Sequence, residues 1–251
     1  MPCFKPLQAW RTTENTRNGK KGIAFKPSAN STTALQIPCG QCIGCRLTRS
    51  YNWAIRCTHE AQVSTQNEQS NTFITLTYSD EHLPWDGSLI KSHFQKFIRK
   101  LRKQHPRQTI RYYMAGEYGA TLNRPHYHAC LFGYDFPDKL LWKEQEGFLT
   151  YTSDILEDTW GRGFCTLCEL TFETAAYAAR YCTKKVTGQL SDEHYTTTHP
   201  LTGEVINLQP EYNTMSLKPG IGADWYKEYK SDIYPSDFVV RNNTKTPPPR
   251  S

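Results

Sequence analysis

Residues 124–133, RPHYHACLFG, constrain this fold most, because they place two histidines one residue apart in a pattern typical of a β-strand. Successive side chains of a strand point to opposite faces, so His126 and His128 must share one face. Tyr127, Ala129 and Leu131 share the other face. That apolar face is suited to core packing, so we expect the histidine face to have another role.

The segments around this strand predict a mixed fold. TFITLTYS and FCTLCELTFE are strand-like, and the pattern predicts that TIRYYMAGEYG and RPHYHACLFG form a hairpin. SLIKSHFQKFIRKLRKQH is an amphipathic helix, capped by Ser88 and ended by Pro106, and SDILEDTW is a short helix. With the Ala-rich helix TAAYAARYCTKKV, the order predicts an α+β fold: an antiparallel β-sheet backed by helices, of ferredoxin-like type.

The flanking regions lack clear periodicity. We expect an irregular arm over residues 1–38 and divide the chain into residues 1–70, with a cysteine cluster and a helix, a core at 71–188, and an extension at 189–251. The extension is rich in loop signals and ends in NNTKTPPPRS. It is therefore predicted to be irregular, with a disordered tail.

Composition favours a polyanionic partner. The chain of 251 residues has a formal net charge of +6, and 13% of its residues are aromatic, which suits stacking on nucleic-acid bases. Lys96, Arg99 and Lys103 lie off the apolar stripe of the long helix and are candidates for DNA contact, with Arg124 as a further candidate. The alternative is an ordinary solvated basic face.

Localisation is predicted from apolar patterning and cysteine content. No apolar run approaches the roughly 20 residues that cross a bilayer, and MPCFKPLQAW lacks the apolar core of a signal peptide. We therefore expect a soluble cytoplasmic protein without a membrane partner. Nine cysteines, an odd number, suit metal ligation better than a disulfide framework.

Two histidines on one strand face can grip a metal ion but need a third ligand. If the hairpin pairs through YGATLNRP, Glu117 falls near His126 and on the same face. Two imidazoles and a carboxylate with open positions can hold Mg²⁺ or Mn²⁺ while leaving room for phosphate oxygens. The alternative is that the histidines are half-buried and hydrogen-bonded to backbone.

Tyr177 and Tyr181 lie four residues apart and share a helical face, and Lys184 and Lys185 follow in the next turn. A phenol is a poor nucleophile, so catalysis would need a metal to polarise a phosphate and a lysine to stabilise charge. The alternative is two core aromatics followed by a favourable basic helix end.

The segment CGQCIGC places Cys39, Cys42 and Cys45 at successive gaps of two residues, close enough for three thiolates to surround one ion. Cys3 or Cys57 could complete a tetrahedral site, and we prefer Cys3 because it would anchor the arm. Structural Zn²⁺ is the first choice, an iron–sulfur cluster the second, and unligated thiols the third. Cys165 and Cys168 face opposite ways in a strand and are predicted to pack.

These motifs resemble those of the HUH endonucleases that initiate rolling-circle replication. PHYHACLFG resembles their metal motif, FITLTYS their first strand motif, and YAARYCTKK their tyrosine motif in its two-tyrosine form. MPCFKP, PCGQCIGCR and LKPGIG are similar to segments of the replication initiators of gokushovirus-type phages of the Microviridae.

This resemblance implies an HUH-type, ferredoxin- or RRM-like nicking core over residues 71–188 and a metal-dependent DNA nicking and joining reaction. His126, His128 and Glu117 would hold the metal, Tyr177 and Tyr181 would be the nucleophiles, and Lys184 or Lys185 would assist. A 5′-phosphotyrosyl intermediate would form at the origin in single-stranded and replicative-form DNA. Host helicase and polymerase would be partners in the bacterial cytoplasm.

Two other functions remain open from the residues. The same ligands form the facial triad of a ferrous oxygenase, although that function leaves the tyrosines unused. A non-catalytic, zinc-dependent nucleic-acid-binding protein would explain the charge but not the histidine strand.

Overall fold

The computed structural model describes residues 3–119, 122–180, 185–186, 190–199, 202–233, 236–241 and 243–249. The chain divides into two compact units, Met1–Arg49 and Ser50–Ser251. The division into residues 1–70, 71–188 and 189–251 stays a prediction.

The first unit contains a three-stranded antiparallel sheet in the order β2-β1-β3. The irregular arm predicted for residues 1–38 is therefore wrong. These strands are largely exposed on both faces, so they lack the apolar alternation that marks a strand in sequence. Their bounds are β1 (Leu7–Asn15), β2 (Lys21–Ala24) and β3 (Ser31–Ile37).

The second unit is built on a seven-stranded antiparallel sheet with the order β12-β5-β6-β4-β9-β8-β7. Two further strand pairs, β10 with β11 and β13 with β14, lie outside that sheet. The strands are β4 (Asn71–Leu76), β5 (Arg111–Tyr118), β6 (Pro125–Phe132), β7 (Leu140–Gln145), β8 (Phe148–Thr152), β9 (Cys165–Glu169), β10 (Thr196–Thr198), β11 (Val205–Asn207), β12 (Tyr212–Met215), β13 (Val239–Arg241) and β14 (Thr244–Thr246).

The described part of the chain has six α-helices. The α+β class and the large antiparallel sheet backed by helices are confirmed, as is the predicted order of elements from residue 71, apart from an inserted hairpin. None of these helices is long and apolar enough to span a membrane. The helices are α1 (Ile43–Gln66), α2 (Lys91–Gln104), α3 (Asp154–Trp160), α4 (Phe172–Arg180), α5 (Leu190–Tyr195) and α6 (Ala223–Ile233).

Helices α2 and α3 cover the face of the large sheet that carries Tyr127, which we call the opposite face. Four apolar residues of α2 at helical spacing, together with Leu156 and Trp160 of α3, are buried against strand residues there. The predicted stripe of α2 is confirmed for Phe94, Phe97, Ile98 and Leu101.

The face that carries His126 and His128, which we call the histidine face, has a second core. Residues of α1 beyond position 50 and the small residues of α4 pack there against aromatic strand residues. Alanines on α4 allow its backbone to approach the sheet closely. The buried members include Cys57, Phe73, Tyr113, Cys130, Phe132, Ala175, Ala178 and Ala179.

The predicted cap of α2 is wrong. The helix begins at Lys91 after Ile90, and no side chain caps it. The Ser88 hydroxyl instead accepts a hydrogen bond from the backbone N–H of Gln209, at 2.8 Å. The hydroxyl that the local sequence assigned to the start of α2 therefore bonds to a residue 121 positions further along the chain.

The hairpin of β7 and β8 was not predicted, although Glu146 and Gly147 between them both have positive φ, as a tight hairpin turn requires. The irregular extension after residue 188 is also wrong, since β12 joins the main sheet beside β5. β14 lies in the tail predicted to be disordered. Of these strands, β12 depends on a partner about 100 residues away, which its own residues do not reveal.

Candidate metal centre and nucleophile

The pairing of β5 with β6 brings the predicted metal ligands together. Glu117 is the direct partner of His126, and Ala115 is the partner of His128, so the three side chains share the histidine face. Glu117 Oε1 lies 2.6 Å from His126 Nε2 and 3.1 Å from His128 Nε2. Glu117 and His128 are buried, with 2% and 4% of their surface exposed, and His126 is partly exposed.

The hydrogen bond at Nδ1 of His126 determines the protonation of the ring and therefore what Nε2 can bind. Nδ1 lies 3.0 Å from the carbonyl oxygen of Arg124, and a carbonyl can only accept, so Nδ1 carries the proton. In the neutral ring, Nε2 then directs a lone pair at the Glu117 carboxylate. A proton or a cation must lie between these two acceptors, so the residues present fit a metal ion.

His128 is oriented in the same way by a residue that sequence reasoning missed. Its Nδ1 lies 3.0 Å from Thr75 Oγ1, and Thr75 is its direct partner across β4 and β6. The Phe73 ring stacks on His128, with centroids 5.8 Å apart. The segment FITLTYS could have indicated this role, because its strand pairs with the histidine strand and Thr75 lies on the histidine face.

Tyr177 is placed beside the triad by α4. Its ring lies edge-on to His128, with centroids 5.1 Å apart, and is 44% exposed. Tyr127 lies between the two histidines in sequence, but its side chain is buried on the opposite face. Its hydroxyl is hydrogen-bonded to the backbone of Ile90. Burial raises the pKa of Tyr127. Tyr177 is therefore the better placed nucleophile of the two.

The other predicted catalytic residues are described only in part. Tyr181 and Lys184 lie outside the described residues. Lys185 is described and exposed, and the next residue, Val186, donates its backbone N–H to the hydroxyl of Tyr195 at 3.0 Å. Their catalytic roles stay predictions.

The predicted DNA-contact residues belong to two separate segments of the chain. Lys96, Arg99 and Lys103 belong to α2, which covers the opposite face, whereas the triad lies on the histidine face. Arg124 directly precedes the histidine strand, and its guanidinium bonds to the Tyr78 carbonyl and to Asp80. Contact with DNA stays a prediction for all four residues.

The first unit gathers a group of four thiols, Cys3, Cys39, Cys42 and Cys45, whose sulfur atoms lie within 4.8 Å of one another. Three of the sulfur separations are 3.5, 3.8 and 4.0 Å. A tetrahedral ion with metal–sulfur bonds of about 2.3 Å has sulfur–sulfur edges of about 3.8 Å. The group therefore fits a zinc ion, with Cys3 rather than Cys57 beside the other three.

Backbone N–H groups favour the thiolate form of Cys42 in this group. The N–H groups of Cys45 and Phe4 lower the pKa of Cys42 to about 6. Burial and the neighbouring thiols raise the pKa of Cys45 to about 12. Ionising Cys45 beside the other thiols is therefore unfavourable unless a cation balances the charge.

The remaining cysteines that we interpreted as packing residues lie on opposite sides of the large sheet. Cys165 belongs to the core of the opposite face, and Cys168 packs against the core of the histidine face. Cys57 is also buried in that second core. These three positions agree with packing roles.

Comparison with known proteins places this site in a family. The model of the replication-associated protein ORF2/G2P family matches residues 71–186, which include the triad and Tyr177. The replication-associated protein ORF2 of Spiroplasma virus 4 is 35% identical over 98% of this chain and 76% of its own length. The chain belongs to this family of phage replication-associated proteins.

Two further phage replication-associated proteins are similar to this chain. Replication-associated protein VP4 of Bdellovibrio phage phiMH2K is 32% identical over the whole chain and 75% of its own length. Replication-associated protein ORF4 of Chlamydia phage 1 is 30% identical over 59% of this chain and 38% of its own length. The resemblance to gokushovirus-type initiators is thereby confirmed. No solved structure matches the chain.

Proposed function

We propose that this replication-associated protein is a metal-dependent, HUH-type endonuclease that nicks and rejoins DNA to start rolling-circle replication of a circular single-stranded genome. The observation that carries the proposal is the position of an exposed tyrosine ring 5.1 Å from a histidine of the triad. Family membership favours replication over the ferrous oxygenase alternative.

The donor set supports a divalent metal. Glu117, His126 and His128 offer one oxygen and two nitrogen atoms on one side of the sheet, and Thr75 and the Arg124 carbonyl hold the two rings in orientation. A Mg²⁺ or Mn²⁺ ion held there would polarise the target phosphodiester. Two imidazoles and a carboxylate leave coordination positions for phosphate oxygens.

The tyrosine supplies the nucleophile. The phenol oxygen of Tyr177 forms a bond to phosphorus, and the bond from phosphorus to the 3′ oxygen breaks. The phenol loses its proton, and the leaving oxygen takes one up to become a free 3′-hydroxyl. The product is a 5′-phosphotyrosyl enzyme, and the number of phosphate ester bonds is unchanged, so no ATP is needed.

We assign rejoining to Tyr181, four residues along the sequence from Tyr177, which would attack the regenerated junction. Lys184 or Lys185 would stabilise the charge that develops on the phosphate. A host polymerase would extend the 3′-hydroxyl, and a host helicase would unwind the duplex ahead of it. These steps place the protein on origin DNA in the cytoplasm of the bacterial host.

The architecture supports an HUH-type core. The histidine strand β6 lies between β5 and β4 inside an antiparallel sheet, and helices pack against part of each face. For the thiol group we propose structural Zn²⁺, because four sulfurs at tetrahedral separations leave no open position for substrate.

A covalent-adduct assay tests the function. The protein is incubated with Mn²⁺ and labelled single-stranded oligonucleotides tiled across the genome that encodes it, and then run on a denaturing gel. We expect an adduct at one site. The double change Tyr177→Phe and Tyr181→Phe should abolish it and leave DNA binding within about 2-fold, because only the attacking oxygens are removed.

Tyr226→Phe is the matched control, since Tyr226 is a half-exposed tyrosine on α6, outside the triad. It should leave adduct formation unchanged. An adduct that persists in the double variant would contradict the nucleophile assignment. Binding without any adduct in the wild-type protein would favour the non-catalytic alternative.

A further inference from the structure

Two aromatic rings lie exposed near the edge of the large sheet, beyond the triad. Phe164 and Trp142 are 43% and 55% exposed, and their ring centroids are 5.1 Å apart. Trp142 belongs to β7, the edge strand, and Phe164 directly precedes β9. Neither ring contributes to the two buried cores. Exposed apolar rings in contact with each other make this region a candidate interaction site.

The register of the strands places Phe164 on the histidine face. Thr166 is the partner of Thr75, and Thr75 is the partner of His128, so these three side chains share that face. Cys165 is buried in the core of the opposite face. Alternation along the chain therefore directs the exposed side chain of Phe164 to the same side as Thr166 and the histidines.

Small side chains cover the histidine face between the triad and the aromatic pair. The side chains there belong to Thr75, Thr77 and Thr166, which are small and partly exposed. Thr77 is joined to the Phe164 carbonyl by both its backbone N–H and its hydroxyl, which extends the pairing of β4 with β9. Strand β9 is two strand spacings from β6, or about 10 Å.

We propose that Phe164 and Trp142 form a base-stacking platform for single-stranded DNA, holding nucleotides within about three positions of the phosphate at the triad. This inference rests on the proposed function, since it specifies how the same site holds its substrate. Aromatic rings on an open sheet face bind unpaired bases by stacking, largely independently of sequence.

Continuity with the triad distinguishes DNA from a second copy of the chain as the occupant. The platform, the threonine stretch and the triad follow one another across the same sheet face, so a strand held at the triad can run directly over the rings. The formal net charge of +6 also disfavours association of two copies and favours a polyanion.

The test compares two probes of equal charge. One is a fluorescein-labelled, mixed-sequence 20-nucleotide single strand, and the other is the same sugar–phosphate chain without bases. Binding is measured by anisotropy in buffer without added Mg²⁺ or Mn²⁺ and without chelator, so that zinc bound by the thiol group is retained. Trp142→Ala and Phe164→Ala should each weaken binding of the complete strand about 5- to 150-fold, the loss that removal of one base stack produces. Binding of the abasic strand should not change.

Conservative and control variants separate stacking from general apolar contact. Phe164→Tyr should bind like the wild type, whereas Phe164→Leu should bind like the alanine variant. Leu141→Ala is the matched control, because Leu141 neighbours Trp142 on β7 and is 60% exposed but pairs with Tyr151, which packs on the opposite face. It should have no effect.

Three results would overturn the platform: unchanged binding in both alanine variants, equal losses for both probes, or a fall in oligomeric state that follows the aromatic changes. Because the assay contains no added Mg²⁺ or Mn²⁺ and can be repeated with Tyr177→Phe, its outcome is independent of nicking. Failure of the adduct assay with retained base-dependent binding would reject only the nicking function.

Discussion

The two candidate metal groups of this protein are built in opposite ways. Three of the four thiols come from one stretch of seven residues, and backbone N–H groups within the same unit point at their sulfur atoms. The triad instead joins Glu117 of β5 to two residues of β6, and two of its three members are buried. Three members of the first group follow from local chain geometry, whereas the second group follows from strand register.

This difference agrees with different roles. Four soft sulfur ligands close a tetrahedral site, which is typical of structural zinc. Two nitrogens and one oxygen leave positions open, which is typical of a site that binds substrate. The comparison predicts that each group can be damaged without loss of the other.

The largest effect is expected from Glu117→Gln, which keeps the shape of the side chain but removes its charge. Mn²⁺ affinity, measured by electron paramagnetic resonance, should fall at least about 100-fold, beyond the 10- to 100-fold typical of residues that only orient ligands. Covalent adduct formation should fall in parallel, and zinc content should not change. Loss of zinc in this variant would show that the groups are coupled.

A smaller effect is expected from Cys42→Ser, which removes one sulfur ligand. Zinc content should fall well below one ion per chain, and the melting temperature should fall by at least about 4 °C, the shift that about 1 kcal/mol produces in a small domain. Mn²⁺ affinity should stay within about 2-fold. Cys168→Ser is the control, because Cys168 lies outside both groups, and it should retain full zinc content.

The smallest effect is expected from Thr75→Val, which removes the hydroxyl beside His128 Nδ1 and preserves side-chain shape. Mn²⁺ affinity should fall about 10-fold, because the imidazole loses its orienting partner. Thr72 is on the same strand, but its side chain lies on the opposite face. Thr72→Val removes a hydrogen bond to the Cys168 carbonyl and should leave Mn²⁺ affinity unchanged. Equal losses in both variants would indicate a general effect on β4.

Much of the fold could be predicted, because strong apolar patterns are local. The stripe of α2, the hairpin of β5 and β6, and the pairing of Glu117 with His126 all follow from periodicity and turn residues. The first-unit sheet and β12 could not, because their polar strands depend on backbone pairing with distant partners. The cap of α2 was wrong for the same reason.

The sequence by itself determined that two imidazoles share a strand face and that three thiols lie close together, since alternation and short loops act within a few residues. Only the tertiary structure decided that Cys3 joins those thiols, that Tyr177 lies against His128, and that the basic residues of α2 lie on the other side of the sheet. These positions depend on which faces pack together, and packing is a property of the whole chain.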